Sequence, residues 1–297
     1  MKQQMKHNQE KTTICIPGLK EDLRIMQITD THLCEAYPRE GEELCRMAGN
    51  RHTGFREQGQ PGDFTLTDLL QGLIRLSNEE RVDGVVFTGD IIDFPSLKNM
   101  EVMKSAFGEL QMPYLYMPGN HDWSFPHLPV TDEMRVESYP LFQEWFSNVP
   151  GCQAIQLGGM NLIGVDNSNY QLTEQQFDFI REQCELGLPS LLFMHIPLYL
   201  PSLEPAVRSQ WGGSPIMMGA EDWTDQELLN WQIRLPDEST LAFTEWIRRG
   251  KGAERIRGVF SGHVHFHHVD AITDGRMHHT TLAGFKGGSR MIHLTKA

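Results

Sequence analysis

Two kinds of apolar stretch alternate along this chain. Short runs rich in Val, Ile, Leu, Phe or Met predict buried strands, and they cover residues 23–29, 82–88, 113–117, 190–194 and 256–260. In other stretches the apolar residues recur at the helical period, which predicts helices over residues 65–78, 97–110 and 174–184. A further helix is expected to begin after Ser239, as its cap, and to end at Gly250. After the predicted strand at 256–260, short strands joined by turns are expected up to Leu294.

This order of elements predicts an α/β protein. Strand–helix alternation followed by a strand-rich end favours two mixed sheets covered by helices, a layered sandwich. We expect a polar N-terminal extension over residues 1–20 and a single domain over residues 21–297. No linker divides that domain.

Two long segments without a clear pattern interrupt the predicted domain, near 35–63 and near 201–238. Loops of this length in a compact domain are usually functional or disordered. The second segment begins shortly after His195 and is therefore expected to overhang any site at that residue. Whether its tryptophans contact a substrate or pack a local core is left open by the sequence.

Composition and charge narrow the function. The 297 residues have a formal net charge of −13, which repels free polyanions and argues against long nucleic acid as a partner. The first eleven residues are polar, unlike a secretory signal, and no apolar run is long enough to predict a membrane span. Five cysteines without CxxC spacing favour reduced thiols and a cytoplasmic location.

Five short blocks of His and Asp residues provide the candidate chemistry, and most of them follow a predicted strand. They are Asp30-Thr31-His32, Gly89-Asp90-Ile91-Ile92-Asp93, Gly119-Asn120-His121-Asp122, His195, and Gly262-His263-Val264-His265. The ends of parallel strands meet at one edge of a sheet, so these blocks are expected to come together. Carboxylate, imidazole and amide oxygen are ligands for divalent ions, and the set is large enough for two ions.

Spacing predicts how the blocks are held. Asp30 and His32 are two residues apart, as are His263 and His265, so in an extended chain the members of each pair would point to the same side. Glycines precede Asp90, Asn120 and His263 and are expected to let the chain turn tightly as it leaves the strand. One block alone is a weak indication, but five in order at strand ends predict a metal site.

The series Asp-x-His, Gly-Asp-x-x-Asp, Gly-Asn-His-Asp, His and Gly-His-x-His resembles the calcineurin-like metallophosphoesterase superfamily over residues 30–265. The resemblance implies a four-layer α/β/β/α sandwich of two mixed β-sheets flanked by helices, with a two-metal centre at the strand ends. His195-Ile196-Pro197 is also similar to the purple-acid-phosphatase-like branch. Asp93, however, stands where plant and mammalian purple acid phosphatases have a tyrosine ligand.

Carried over by position, the resemblance implies a role for each block. One metal would be held by Asp30, His32, Asp90 and His265, and the second by Asp90, Asn120, His195 and His263, so that Asp90 bridges them. His121 would face the substrate, and Asp93 would lie behind it and orient it. The metals are expected to be two divalent ions drawn from Mn, Fe, Zn, Co and Ni, because mixed nitrogen and oxygen ligands accept all of these.

Such a site is suited to phosphate ester hydrolysis. Two metals about 3.5–4 Å apart can share a hydroxide that attacks phosphorus in line, and His121 as imidazolium can stabilise or protonate the leaving oxygen. We therefore predict a cytoplasmic metal-dependent phosphoric ester hydrolase acting on a phosphomonoester or phosphodiester of a small molecule or phosphoprotein. The alternatives are a cyclic-nucleotide phosphodiesterase or nuclease on the same scaffold, and a non-catalytic binding scaffold, against which the complete ligand set argues.

Overall fold

The computed structural model describes residues 7–126, 128–273 and 275–296, and within them eleven strands form two sheets. The strands are β1 (Asn8–Ile16), β2 (Leu23–Ile28), β3 (Gly84–Thr88), β4 (Tyr114–Met117), β5 (Cys152–Leu157), β6 (Met160–Val165), β7 (Ser190–Phe193), β8 (Ile256–Ser261), β9 (His268–Thr273), β10 (Arg276–Thr280) and β11 (Gly288–Lys296). The first sheet has the order β1-β11-β2-β3-β4 and the second the order β5-β6-β7-β8-β10-β9.

Helices cover both sheets. They are α1 (Glu42–Glu57), α2 (Leu66–Glu79), α3 (Leu97–Gly108), α4 (Asp132–Ser138), α5 (Glu174–Glu185), α6 (Glu204–Gln210), α7 (Asp225–Trp231) and α8 (Glu238–Arg249). The helical periods in the sequence correspond to α2, α3, α5 and α8. At the start of α5 the Thr173 hydroxyl accepts from the Gln176 amide while the Gln176 side chain accepts from the Thr173 amide, which satisfies two helix-end donors.

Both sheets are mixed, as the sequence predicts. In the first sheet β2, β3 and β4 are parallel to each other, whereas β11 is antiparallel to β2. In the second sheet β6, β7, β8 and β10 are parallel, whereas β5 and β9 pair antiparallel at the edges. The parallel strands β2, β3 and β4 are neighbours in the first sheet, and β6, β7, β8 and β10 are neighbours in the second. In each sheet their carboxyl ends therefore share one edge.

Successive side chains of the central strands point to opposite faces of the sheet, and both faces are covered. In β3, Val85 and Phe87 are buried against the helices of the first sheet, and Val86 is buried between the two sheets. In β7, Leu192 packs on the helix side and Phe193 between the sheets. Strands buried on both faces need apolar residues at every position, which is why they read as continuous apolar runs. The four-layer sandwich is confirmed.

The N-terminal segment differs from the expectation of a polar extension over residues 1–20. Asn8–Ile16 is β1, and it pairs parallel with β11 along its whole length. An edge strand that also exposes one face to solvent needs few apolar residues, since hydrogen bonds of its backbone attach it to the neighbouring strand. Only Thr12 and Ile16 of this strand are buried, so its sequence lacks a clear strand pattern.

The two segments expected to be long loops contain helices. Residues 35–63 include the sixteen-residue helix α1, in which only Ala48 and Phe55 are buried, so its apolar period is weak. Residues 201–238 include the short helices α6 and α7. None of the helices in the described part of the chain is long and apolar enough to cross a membrane.

Two buried histidines of β10 are expected to make the fold sensitive to acid. Burial lowers the pKa of His278 and His279 from 6.5 to about 3. The unfolded chain therefore binds protons before the folded protein does, and the free energy of unfolding should fall as the pH drops from about 6.5 to about 3. Urea unfolding of metal-stripped protein at several pH values measures this fall, and His278→Gln should reduce it.

His293→Gln is the matched control, because His293 lies in β11, in the other sheet, and is only half-buried. It should leave the pH dependence of stability unchanged. An equal acid sensitivity in the wild type and in His278→Gln would contradict the explanation.

Candidate metal centre

The five blocks lie just beyond the carboxyl ends of β2, β3, β4, β7 and β8. Their side chains form three groups within which the possible ligand atoms lie no more than 4.8 Å apart. The groups are Asp30 with His32 and His265, His32 with Asp90 and His121, and Asp90 with His195 and His263. The structure therefore brings together residues from both sheets, with Asp90 between the other members.

In the first group, two ring nitrogens and a carboxylate oxygen converge. His32 Nε2 lies 3.3 Å from His265 Nε2, which in turn lies 3.3 Å from Asp30 Oδ1. His32 Nε2 is also 3.7 Å from Asp90 Oδ2. All these side chains are buried. Two imidazole nitrogens this close cannot both carry a proton, whereas a shared cation accepts both lone pairs.

The third group and the neighbouring Asn120 contain buried polar atoms that lack a partner. Among the described residues, Asn120 Oδ1 and His195 Nε2 make no hydrogen bond, although His195 Nε2 lies 3.2 Å from Asp90 Oδ2. His195 Nδ1 donates to the Thr88 carbonyl oxygen at 2.7 Å, which leaves Nε2 as the coordinating nitrogen. Unpartnered buried polar atoms are rare and costly, and a metal ion satisfies both. These residues therefore fit the metal that the motif implies.

The protonation of two candidate histidines agrees with a ligand role. Burial lowers the pKa of His32, and it lowers that of His263 well below the usual range, so both rings are neutral, the form that binds metals. Although burial opposes it, Asp90 raises the pKa of His195 to about 9. At that position a metal ion has to replace a proton.

The candidate ligands are held by strained backbone. Five of the seven have a positive φ, with values of 52° at Asp30, 48° at His32, 53° at Asp90, 66° at His263 and 62° at His265. The expectation of extended chain at the two spaced pairs is therefore wrong: left-handed turns aim these side chains. Such conformations cost roughly 1–3 kcal/mol each and are concentrated at functional sites.

Backbone hydrogen bonds between the blocks hold these turns. Asp30 N donates to Gly89 O and His32 N donates to Asp90 O, both at 2.9 Å. His263 N donates to the Asp30 carboxylate at 3.1 Å. The first block is thus fixed to the second within one sheet and to the fifth across the two sheets.

The glycines before the candidate ligands act in two ways. Gly89 has a φ of 86°, so the expected tight turn is confirmed there. At Gly119 a Cβ would overlap the Asp90 carboxylate, and at Gly262 it would overlap the Thr29 hydroxyl. Glycine is required at these two positions because another part of the site approaches the backbone closely.

Asp93 lies behind the site and contacts two histidines. Its Oδ1 is 3.1 Å from His121 Nδ1 and 3.1 Å from His32 Nδ1. Although burial alone would raise it, His121, His32 and Arg51 hold the pKa of Asp93 well below its usual range. The carboxylate is therefore charged and can orient both rings.

Arg51 is a site residue that sequence reasoning missed. It lies in α1, within the segment that the sequence leaves without a pattern, and its Nε and Nη2 donate to the two oxygens of Asp93, Nη2 at 2.6 Å. One turn later, the Phe55 ring lies 4.8 Å from the ring of His32. No local motif marks these positions, since their role depends on how α1 packs on the sheet.

His121 differs from the surrounding histidines because its side chain is 27% exposed. Its backbone N donates to Asp90 Oδ1 at 2.9 Å. Although burial opposes it, Asp90 and Asp93 raise the pKa of His121 to about 9. Asp93, which is not a candidate ligand, favours the protonated imidazole, the form that can donate a proton to a bound group.

Asp122, the last residue of the Gly-Asn-His-Asp block, has a structural role that was not predicted. Its carboxylate accepts from the backbone N of Asp90 at 2.8 Å, of Gly119 at 2.6 Å and of Ile92 at 2.9 Å. Burial, and then Asp90, raise its pKa to about 7. The side chain joins the loops after β3 and β4 and so positions Asp90 against Asn120.

The second long segment overhangs the site, as expected. The ring of Trp211 lies 5.1 Å from that of His265, and its Nε1 donates to Val264 O at 3.1 Å. The ring of Trp231 lies 6.5 Å from that of His263. Both tryptophans also pack against the core of the second sheet, so this segment combines local packing with contact to the candidate ligands.

Comparison with known proteins gives a family and a fold. The model of the calcineurin-like phosphoesterase family matches residues 23–267, whereas no curated protein sequence matches the chain. A dimetal phosphatase structure from Danio rerio is 13% identical, with 89% of this chain and 88% of that chain covered and a TM-score of 0.50.

A purple acid phosphatase from seeds of yellow lupin (Lupinus luteus) is 16% identical, with 92% of this chain covered and a TM-score of 0.54. The match covers only 45% of the lupin chain. At these identities both structures show a shared fold alone.

Proposed function

Because this chain belongs to the calcineurin-like phosphoesterase family, a family of metal-dependent phosphoester hydrolases, we propose that it hydrolyses a phosphomonoester or phosphodiester at the site where its two sheets meet. The observation that carries this proposal is the convergence of buried ligand atoms on both sides of Asp90. The unpartnered Asn120 Oδ1 and His195 Nε2 give it independent support.

The proposed ligand assignment follows the groups of the site. One metal would be held by Asp30, His32, Asp90 and His265, and the other by Asp90, Asn120, His195 and His263. Asp90 Oδ2 lies 3.7 Å from His32 Nε2 and 3.2 Å from His195 Nε2, which supports a bridging role. Mixed nitrogen and oxygen ligands are compatible with Mn, Fe, Zn, Co and Ni.

When bound, the two ions supply a nucleophile by lowering the pKa of water, and they neutralise charge on the phosphoryl group. We assign proton donation to the leaving oxygen to His121, which is part-exposed and has a raised pKa. Asp93 orients this ring, and Arg51 fixes Asp93 through two hydrogen bonds. Such outer partners hold catalytic and ligand side chains in productive positions.

The proposed substrate is a small molecule or a phosphoprotein. The net charge of −13 argues against long nucleic acid. The five cysteines are free thiols, which supports a reducing compartment and hence a cytoplasmic location. The retained His121 argues against a non-catalytic scaffold.

Metal removal tests the proposal. Protein stripped with a chelator should lose at least about a hundredfold in kcat/KM for para-nitrophenyl phosphate, and about two equivalents of Mn²⁺ or another suitable ion should restore it. Metal content is measured by mass spectrometry alongside the rates. Comparison with the bis-ester of para-nitrophenol separates phosphatase from phosphodiesterase activity. Undiminished hydrolysis by metal-free protein, or no hydrolysis of any ester by protein with two bound ions, would refute the proposal.

A further inference from the structure

A cavity of about 260 Å³ opens beside the candidate metal centre, with Asn120 in its wall. Its walls include the aromatic side chains of Trp123, Tyr170 and Trp231, together with Ile233. Pockets for whole drug-sized ligands occupy roughly 300–1,000 Å³. This cavity is therefore suited to one small ring system rather than to a large molecule.

The cavity is continuous with the candidate metal centre. Asn120 belongs to both, and its unpartnered Oδ1 is the atom we assign to a metal. The Tyr170 hydroxyl and His263 Nε2 are hydrogen-bonded to each other at 2.7 Å. A phosphate group held at the centre would therefore place its organic substituent within reach of these aromatic walls.

Hydrogen bonds preorganise the inner walls of the cavity. The indole Nε1 of Trp123 donates to Ser168 Oγ at 2.8 Å, and this tryptophan is 2% exposed. Tyr170 is also buried, and its contact with His263 fixes the phenol ring. Rings that are fixed before binding lose little conformational entropy when a ligand arrives.

The outer wall of the cavity, which includes Trp231, is held by a hydrogen bond and an ion pair of the residues that follow it and by a ring contact of Trp231 itself. Gln232 Oε1 accepts from Val130 N at 2.8 Å, and Arg234 forms an ion pair with Asp132 at 2.8 Å. The Trp231 ring packs on the Trp211 ring at 5.9 Å. The segment after α7 is thus attached to the loop before α4, and the cavity lies between them.

We propose that this cavity binds a planar aromatic ring carried by the phosphate ester, and that Trp231 contacts this ring. The substrate class is then an ester whose organic part bears an aromatic or heteroaromatic ring of about nucleobase size. This inference rests on the proposed function and specifies its substrate. Three aromatic side chains in the cavity wall, of which Trp231 is the most exposed, favour a planar ring over a flexible chain, because ring pairs add attraction beyond area burial.

Benzyl phosphate and propyl phosphate test the proposal, since both are alkyl esters and differ mainly in the ring. Metal-loaded protein should hydrolyse benzyl phosphate with a kcat/KM about tenfold higher, the ratio that corresponds to about 1.4 kcal/mol. Trp231→Leu should raise KM for benzyl phosphate by a similar factor and should change that for propyl phosphate much less. Trp231→Phe, which keeps a ring, should retain most of the preference.

Trp246→Leu is the matched control, because Trp246 packs on Phe177 and Phe243 away from the cavity. It should change neither rate. Inhibition by benzylphosphonate and propylphosphonate gives a second readout, with the benzyl compound expected to bind more tightly to the wild type. Equal use of the two esters, or an equal effect of Trp231→Leu on both, would overturn the aromatic subsite while leaving the hydrolase function intact. Failure to hydrolyse any ester would instead count against the proposed function.

Discussion

Asp90→Asn is expected to lower kcat/KM for phosphate ester hydrolysis by at least about a thousandfold, because a carboxylate that serves both metals is lost from a two-metal clamp. Asparagine keeps the shape of the side chain and can still accept from His121 N, so the fold should survive. Metal analysis should show fewer than two ions per chain. Circular dichroism and thermal melting should resemble those of the wild type.

Asp83→Asn is a suitable control for this substitution. Asp83 lies just before β3 and Asp90 lies just after it, so the pair samples the two ends of one strand. The Asp83 carboxylate accepts from Arg24 N at 2.7 Å, a bond that asparagine can retain. Full metal content and near wild-type rates in Asp90→Asn would contradict the bridging assignment.

His121→Gln is expected to lower kcat for an alkyl phosphate by about 10²–10⁴-fold, the usual range for loss of a general acid. The loss should be smaller for para-nitrophenyl phosphate, whose leaving group is stable without a proton. Because His121 is not assigned as a metal ligand, the variant should still bind two ions. Rates on the two esters and the metal content together measure these effects.

His293→Gln, in β11, is the control. It should leave the rates on the two esters and the metal content unchanged. An equal loss on both esters would show that His121 does not protonate the leaving group. Loss of a metal ion from His121→Gln would instead move this residue into the ligand set. Either result would change the proposed roles without affecting the assignment of the family.

Much of the fold could be predicted because the central strands are buried on both faces. In β3, the consecutive apolar residues Val85, Val86 and Phe87 predict a buried strand. Val85 and Phe87 pack against the helix layer, and Val86 packs against the opposite sheet. At β1 the same reasoning failed, because an edge strand with an exposed face carries Lys11 and Thr13 as readily as apolar residues. In α1, exposure of most positions likewise removed the helical period.

The chemistry of the site could be predicted from local sequence: which residues carry carboxylate, imidazole and amide groups, and that these residues follow strands. Within each sheet, parallel strands share an edge, so the meeting of the blocks of one sheet followed from local pattern. The packing of the two sheets decided that the two sets of blocks face each other. The orientation of these groups, in contrast, depends on tertiary contacts. Left-handed turns at Asp30 and Asp90, the pairing of Arg51 with Asp93, and the cavity beside Asn120 arise from contacts between distant segments. A local pattern reports burial and backbone preference, whereas these features depend on which surfaces face each other once the layers have packed.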